Sequence, residues 1–325
     1  MCGEEQGQVG GVEHGVSASP VDDLLGDLEL EPERLLAFVG PTGSGKTALA
    51  MEVAARVGGE LISVDSVQIY RQFDVGSGKP TADEEARVPH HLVSVVDPLE
   101  PVDAARFVAL ADAAIADVRA RARIPILCGG TFLWMKALLS GLAAAPPASE
   151  AIRAAHRAHA RAHGRPALHA RLAEVDPPSA ARLHPNDLVR VSRALEVWEL
   201  VGRRLSDLHA EHGFKGERHR SKLVAITREP KVLRARIDAR VRAFLDAGWV
   251  DEVRSLDARG FGEARAMGSV GYREVLAHAR GLLPAEGLEA AVSRATWIFA
   301  RRQRTWLGHE PVTWTEVLPF SASGE

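Results

Sequence analysis

Short apolar runs recur along this chain, at Leu35–Val39, Leu61–Val64, Leu92–Val96, Ile124–Cys128 and Leu223–Thr227. They are nearly continuous rather than alternating, the mark of strands covered on both faces. Between them apolar residues fall at helical spacing, over Ala48–Val57 and Asp103–Arg121, with a further helix expected over Phe132–Leu139. Buried strands alternating with helices predict a parallel sheet with helices on both faces. Ligands of such sheets gather at the carboxyl ends of the strands. Small and acidic residues collect there: Gly40–Thr47 after the first run, Ser63-Val64-Asp65-Ser66 in the second, Asp97-Pro98 after the third and Gly129-Gly130-Thr131 after the fourth. Together these ends make one cleft.

The pattern changes between 143 and 220. Ala144-Ala145-Pro146-Pro147 reads as a hinge, and helical stretches follow without a long strand pattern. Leu223–Thr227 then resumes the sheet, so the block reads as an insertion. Residues 231–310 are mostly helical and close on Ser293–Trp306, with a basic face and aromatic anchors. The organisation expected is an acidic, disordered leader over 1–34, a core over 35–142 and 221–318, and an inserted helical subdomain over 143–220.

Composition narrows the class. With 325 residues, 46% apolar and 26% charged, the chain can bury a large core. No apolar run approaches the roughly 20 residues that span a bilayer, and the acidic, glycine-rich start is unlike a signal peptide. Cys2 and Cys128 are too few for a disulfide framework or a four-cysteine zinc site, which fits a reducing cytoplasm. The net charge of −3 conceals an asymmetry: residues 1–33 hold nine acids and no Lys or Arg, leaving 40 basic against 34 acidic residues beyond them. A mildly basic body is compatible with a polyanionic partner.

Candidate chemistry begins with Gly40-Pro41-Thr42-Gly43-Ser44-Gly45-Lys46-Thr47, between a strand and a helix. Glycines let the backbone curl so that N–H groups and the helix N-terminus face a chain of phosphates. Lys46 adds a positive charge, and the Thr47 hydroxyl can hold Mg²⁺; a plain glycine turn would leave both unexplained. Asp65, at a strand's carboxyl end, can be a metal ligand, a general base or a helix cap. Thr131 can meet a ligand or cap its helix. Arg236 and Arg240, four apart, can clamp a diphosphate or form a solvated face. Arg153, Arg157, Arg161 and Arg165, with Arg190 and Arg193, form stripes that track a nucleic-acid backbone or simply meet water. Eight of 13 histidines fall in the inserted block, but His156, His159 and His163 lack the Cys or carboxylate companions of a metal site.

Six motifs occur in order: Gly40–Thr47; Ile62–Tyr70; Asp74-Val75-Gly76-Ser77-Gly78-Lys79-Pro80; Pro89-His90-His91-Leu92; Gly129-Gly130-Thr131; and His184-Pro185-Asn186-Asp187 with Arg190 and Arg193–Glu196. Over about 35–310 the chain resembles the bacterial tRNA dimethylallyltransferases, or tRNA isopentenyltransferases. The resemblance implies an α/β fold: a P-loop NTPase-like parallel sheet flanked by helices, with an inserted all-helical subdomain that grips tRNA. It implies transfer of a dimethylallyl group from dimethylallyl diphosphate to N6 of adenosine 37, in the anticodon stem-loop, with release of diphosphate. Residue by residue, it implies catalytic roles for Asp65, Thr131, Arg240 and Lys46, with Asp65 accepting the amine proton. Gly40, Pro41, Thr42, Gly43, Ser44, Gly45, Lys46 and Thr47 would bind diphosphate, with Mg²⁺ as cofactor near Thr47. Asp65, Ser66, Val67 and Gln68 would line the base pocket. Further tRNA contacts would come from Thr131, Arg153, Val189, Arg190, Val191, Ser192, Arg193, Gly271, Tyr272, Arg273, Arg301, Arg302 and Arg304. A cytoplasmic monomer without an obligate protein partner is expected.

The chain departs from the family pattern at Phe73 and Ser77, which stand where Met and Thr are frequent, and at Gly268-Ser269, where bulkier or basic residues are. The alternatives are a small-molecule P-loop kinase, an adenylate isopentenyltransferase acting on free nucleotide, and a non-enzymatic RNA-binding module.

Overall fold

The computed structural model describes residues 33–213 and 216–316. The acidic leader falls almost wholly outside the described residues. Six parallel strands form one sheet: β1 (Leu35–Val39), β2 (Gly59–Val64), β3 (His90–His91), β4 (Ile124–Gly129), β5 (Ser221–Thr227) and β6 (Thr313–Glu316), in the order β3-β2-β4-β1-β5-β6. Every residue of β1 is buried, and successive side chains enter different cores. Leu36 and Phe38 join Leu61 and Ile126 beneath helix α1 (Lys46–Val57), which supplies Leu49 and Val53. Leu35, Ala37 and Val39 face the other way. There they meet helix α3 (Ala104–Ala120) through Phe107 and Ile115, and helix α10 (Pro230–Asp246) through Leu233 and Ile237. The two-residue period of a strand assigns each apolar residue to one layer. That is why an unbroken apolar run marks a strand covered on both sides.

One strand expectation needs correction. Leu92–Val96 is not a strand: pairing stops at His91, and Leu92 and Ser94 have φ of 61° and 55°, in the left-handed region that extended chain excludes. The segment rejoins β-structure only where Val96 bridges Tyr70. The edge strand β6 carries no clear sequence signal and was not expected. Helix α2 (Ala82–Arg87) opens with a capping box between Thr81 and Glu84, and helix α4 (Phe132–Ser140) leaves the Gly129-Gly130-Thr131 turn.

Between 143 and 220 the chain forms only helices among the described residues: α5 (Glu150–His163), α6 (Arg165–Val175), α7 (Pro177–Arg182), α8 (Leu188–Val201) and α9 (Leu205–His212). They close around their own core of Leu168, Leu172, Val191, Leu195, Leu205 and Leu208. Asp176, fully buried, holds two turns of it, capping α7 through Ser179 and accepting from the Ser206 N–H at 3.0 Å. The chain then returns beside β1 as β5. The closing helices are α11 (Trp249–Ala258), α12 (Tyr272–Ala279) and α13 (Ala285–Leu307).

Candidate active site

The glycine loop leaves β1 in the conformation its residues require. Gly43 and Gly45 have φ of 80° and 97°, where a side chain is strained. At Gly40 a Cβ would lie 2.8 Å from Ser44 Oγ and 3.0 Å from the Ile226 carbonyl oxygen. Two guanidinium groups hold the loop from outside: Arg228 Nε donates to the Ser44 carbonyl at 3.0 Å, and Arg236 Nε to the Gly43 carbonyl at 2.8 Å. The first N–H groups of α1 have no intrahelical partner and carry the positive end of its dipole. Ser44 Oγ is buried with no partner among the described residues. Such a nest of unused donors suits phosphate oxygens.

Positive charge is concentrated beside it. Burial pushes the Lys46 ammonium below its usual range, while the Asp65 carboxylate opposes that shift. The Arg240 guanidinium is likewise lowered, first by the surrounding protein, with Asp65 opposing. It stacks 4.6 Å over the Phe244 ring and lies against Gly78, where a Cβ would overlap it. Cys128 is buried, its thiol pushed up by burial, with Sγ 3.9 Å from Thr47 Oγ1.

Asp65 and Thr131 meet because β2 and β4 are neighbours. The Thr131 N–H donates to the Val64 carbonyl at 3.2 Å, and the Ser66 N–H donates to Thr131 Oγ1 at 3.1 Å. Close strand approach requires Gly129, since a Cβ there would overlap the Val64 carbonyl. Asp65 Oδ1 accepts from the N–H groups of Val67 at 2.8 Å and Gln68 at 3.2 Å. These bonds close a turn over 66–69; the next helix begins only at Ala82, so the helix-cap expectation is corrected to a side-chain-closed turn. That turn uses Oδ1 alone; Oδ2 has no hydrogen bond among the described residues. The Gln68 amide accepts from Ser63 Oγ at 2.9 Å and donates to the Gly78 and Ser77 carbonyls at 2.9 and 3.3 Å. Gln68 therefore ties the Asp65 turn to the loop that supports Arg240.

Sequence reasoning gave no bracing role to two residues that hold this centre together. Glu252, on α11, accepts from the N–H groups of Asp74 at 2.8 Å and Val75 at 2.7 Å. Gln303, on α13, accepts from the Thr42 N–H at 2.9 Å and donates to the Gly130 carbonyl at 3.0 Å. Neither had a local signal. Arg228 was also missed, and its place directly after β5 could have revealed it.

The expected tRNA contacts divide. Val189 and Arg190 are exposed at the start of α8, with Arg190 paired to Asp187 at 2.8 Å. Arg273, Arg301 and Arg302 are exposed as well, and Arg304 is half-buried. Val191, Ser192 and Tyr272 are corrections, because their side chains are buried away from any RNA surface. Val191 fills the helical core, and Ser192 Oγ bonds His156 Nδ1 at 2.9 Å. The Tyr272 hydroxyl donates to Glu252 Oε1 at 2.7 Å. Gly271 is buried too, and its missing Cβ makes room for Trp249. Arg153 and Arg193 are committed to one buried carboxylate: Glu196 accepts from Arg153 at 2.9 and 3.0 Å and from Arg193 at 2.5 Å. Burial opposes the Glu196 charge, but these two guanidinium groups outweigh it and hold its carboxyl below the usual range. Arg193 also donates to the Pro146 carbonyl at 2.7 Å, pinning the expected hinge. His156 bonds Ser192 and Glu199, and no cluster of metal-ligating residues occurs among the described residues. No helix among them is long and apolar enough to cross a membrane.

Fold and site together define a phosphate-loop α/β protein with an inserted helical block. The family model described as IPP transferase matches residues 68–310, and that described as isopentenyl transferase matches residues 33–89. The chain belongs to the IPP transferase family. It is 62% identical over 286 residues to the tRNA dimethylallyltransferase of Sorangium cellulosum, covering 88% of this chain and 91% of that one. The solved tRNA isopentenylpyrophosphate transferase of Bacillus halodurans superposes with a TM-score of 0.64 at 35% identity, covering 87% of this chain and 90% of that one. A eukaryotic dimethylallyltransferase acting on tRNA shares the fold, with a TM-score of 0.72 at 24% identity over 89% of this chain and 75% of its own.

Proposed function

We propose that this protein is a tRNA dimethylallyltransferase that moves the dimethylallyl group of dimethylallyl diphosphate onto N6 of adenosine 37 in the anticodon stem-loop. The observation that carries the reading is the juxtaposition at three adjacent strand ends. Sheet order β2-β4-β1 sets Asp65, Thr131 and the phosphate loop side by side. Relatives named tRNA dimethylallyltransferase support the same class.

The chemistry fits the residue types. N6 of adenine is a weak nucleophile because its lone pair is delocalised into the ring. It attacks the allylic carbon as the carbon–oxygen bond to diphosphate breaks. The electron pair leaves with diphosphate, and one amine proton passes to Asp65 Oδ2. Charge growing on the leaving oxygens meets preorganised donors: the loop N–H groups, Lys46 and Arg240. The partial dehydration of both cations strengthens that attraction. Thr131 Oγ1, held by the Ser66 N–H, keeps its own hydrogen for an acceptor on the substrate. The target base must leave its stack, which costs less in a loop than in a duplex.

Mg²⁺ fits as a partner of diphosphate rather than of a protein cage. The exposed Thr47 hydroxyl supplies one oxygen and the substrate would supply the others, the usual mode for this ion at phosphates. When bound it would offset negative charge on the leaving group. The helical block over 143–220 and the exposed Arg190, Arg301 and Arg302 would receive the stem-loop, and a monomer is the expected state.

The test is direct. Labelled dimethylallyl diphosphate is incubated separately with tRNA, AMP and ATP. Label on tRNA alone supports the reading. Label on AMP points to a free-nucleotide transferase, and γ-phosphate transfer from ATP points to a kinase.

A further inference from the structure

We propose that Gln303 is a positioning residue that sets the distance between the diphosphate loop and the Thr131 turn. The inference rests on the transfer reaction proposed above. Gln303 comes from the last long helix, 261 residues from Thr42 and 173 from Gly130 in sequence, yet its side-chain amide joins the two. One end accepts the Thr42 N–H and the other donates to the Gly130 carbonyl, as a peptide group would between two strands. The residue is only 5% exposed, so neither bond is readily exchanged for water.

The chemistry of the link is specific to an amide. It needs one donor and one acceptor on the same terminus, a combination that Glu, Lys, Met and Leu lack. Asn offers both but is a methylene too short. Gly130 is the reciprocal adaptation, because a Cβ there would sit 2.5 Å from Gln303 Nε2. The helix presenting the amide is fixed one turn to either side of it. Ala300 and Leu307 are fully buried, and Trp306 stacks on Phe132, the residue after Thr131, at 4.5 Å between ring centres. Lys136 and Glu310 add an ion pair at 2.7 Å between α4 and the end of this segment.

These contacts make one rigid strut between the two halves of the reaction. The loop carries the leaving group, and the Gly130-Thr131 turn, tied to Ser66, carries the side that faces the base. Misplacement of reacting groups by about 1 Å can cost on the order of 100-fold in rate. An amide that keeps the two turns in register therefore acts on kcat more than on binding.

The experiment compares Gln303→Leu, Gln303→Glu and Gly130→Ala with the wild-type chain. Single-turnover transfer to tRNA, the KM of each substrate, binding of inorganic diphosphate by calorimetry, and thermal melting are measured. Gln303→Leu is expected to lower kcat by about 30–100-fold and to weaken diphosphate binding, with tRNA affinity unchanged. Gln303→Glu keeps the acceptor for Thr42 but sets a lone pair against the Gly130 carbonyl. It is expected to bind diphosphate nearly as the wild type does while remaining slow. Gly130→Ala should resemble Gln303→Leu. A folded Gln303→Leu protein with kcat within threefold of wild type overturns the proposal. If that variant does not fold, Gln303→Glu decides by the same kcat criterion. Should the wild-type chain fail to label tRNA, the transfer reading falls. The diphosphate-binding comparison then still judges Gln303, and equal binding by wild type and Gln303→Leu overturns its role.

Discussion

Replacing Asp65 separates the turn its carboxylate closes from the base role proposed for it. Oδ1 accepts two N–H groups, from Val67 and Gln68, while Oδ2 has no hydrogen bond among the described residues and would face the substrate amine. Asparagine keeps an oxygen for the turn and loses the base. Alanine loses both. A hydrogen bond of this kind contributes about 1 kcal/mol, so Asp65→Asn should melt as the wild type does and Asp65→Ala lower. A positioned general base contributes about 10²–10⁴-fold, or roughly 3–5 kcal/mol of barrier at 1.36 kcal/mol per decade. Both variants should therefore lose at least about 100-fold in single-turnover prenyl transfer at saturating tRNA and dimethylallyl diphosphate. Alanine should be no more than a few-fold slower than asparagine, since the turn affects positioning only. Gel-shift affinity for tRNA should hold in both. The reasoning is refuted if Asp65→Asn retains a third or more of the wild-type rate, because closing the turn alone would then account for the residue.

Other consequences follow from partners the structure assigns. Arg190→Ala is expected to weaken tRNA binding and to lower the slope of log Kd against log salt by about 1. Arg193→Ala should instead destabilise the helical block by roughly 1.5–3 kcal/mol in urea titrations, through loss of its charged bond to Glu196; a large binding defect with unchanged stability would reverse that assignment. Glu252→Ala removes the acceptor of the Asp74 and Val75 N–H groups and of the buried Tyr272 hydroxyl, a loss of about 3 kcal/mol. Tyr272→Phe in the same background should recover part of it, and strict additivity of the two changes would exclude the coupling. Glu60 is held at about 2 against an ordinary 4.5, chiefly by its bond to Arg121 and aided by His91. A depressed carboxylate contributes its stability above the unfolded value and loses it as pH falls toward the folded one. Wild-type stability should thus decline between about pH 4.5 and 2 by on the order of 3 kcal/mol from this group, and Glu60→Gln should flatten that part of the profile.

The sequence by itself determined the strands of the core and the residues at their carboxyl ends. Both are local: an apolar run too short to be a helix, then glycine, aspartate or threonine where the chain turns. A parallel sheet brings such ends to one edge whatever the connections, so the phosphate loop, Asp65 and Thr131 were legible before any coordinates. Tertiary structure alone decided the rest. The order β2-β4-β1 set those three turns beside one another. It also divided the arginines, leaving Arg190 on the surface and drawing Arg153 and Arg193 onto the buried Glu196. It hid Val191, Ser192 and Tyr272, and it ended β3 at His91 by turning Leu92 and Ser94 left-handed. The bracing roles of Gln303 and Glu252 were invisible for the same physical reason. The backbone groups they hold lie more than a hundred residues away, and a hydrogen bond closed over that distance leaves no periodicity in the chain.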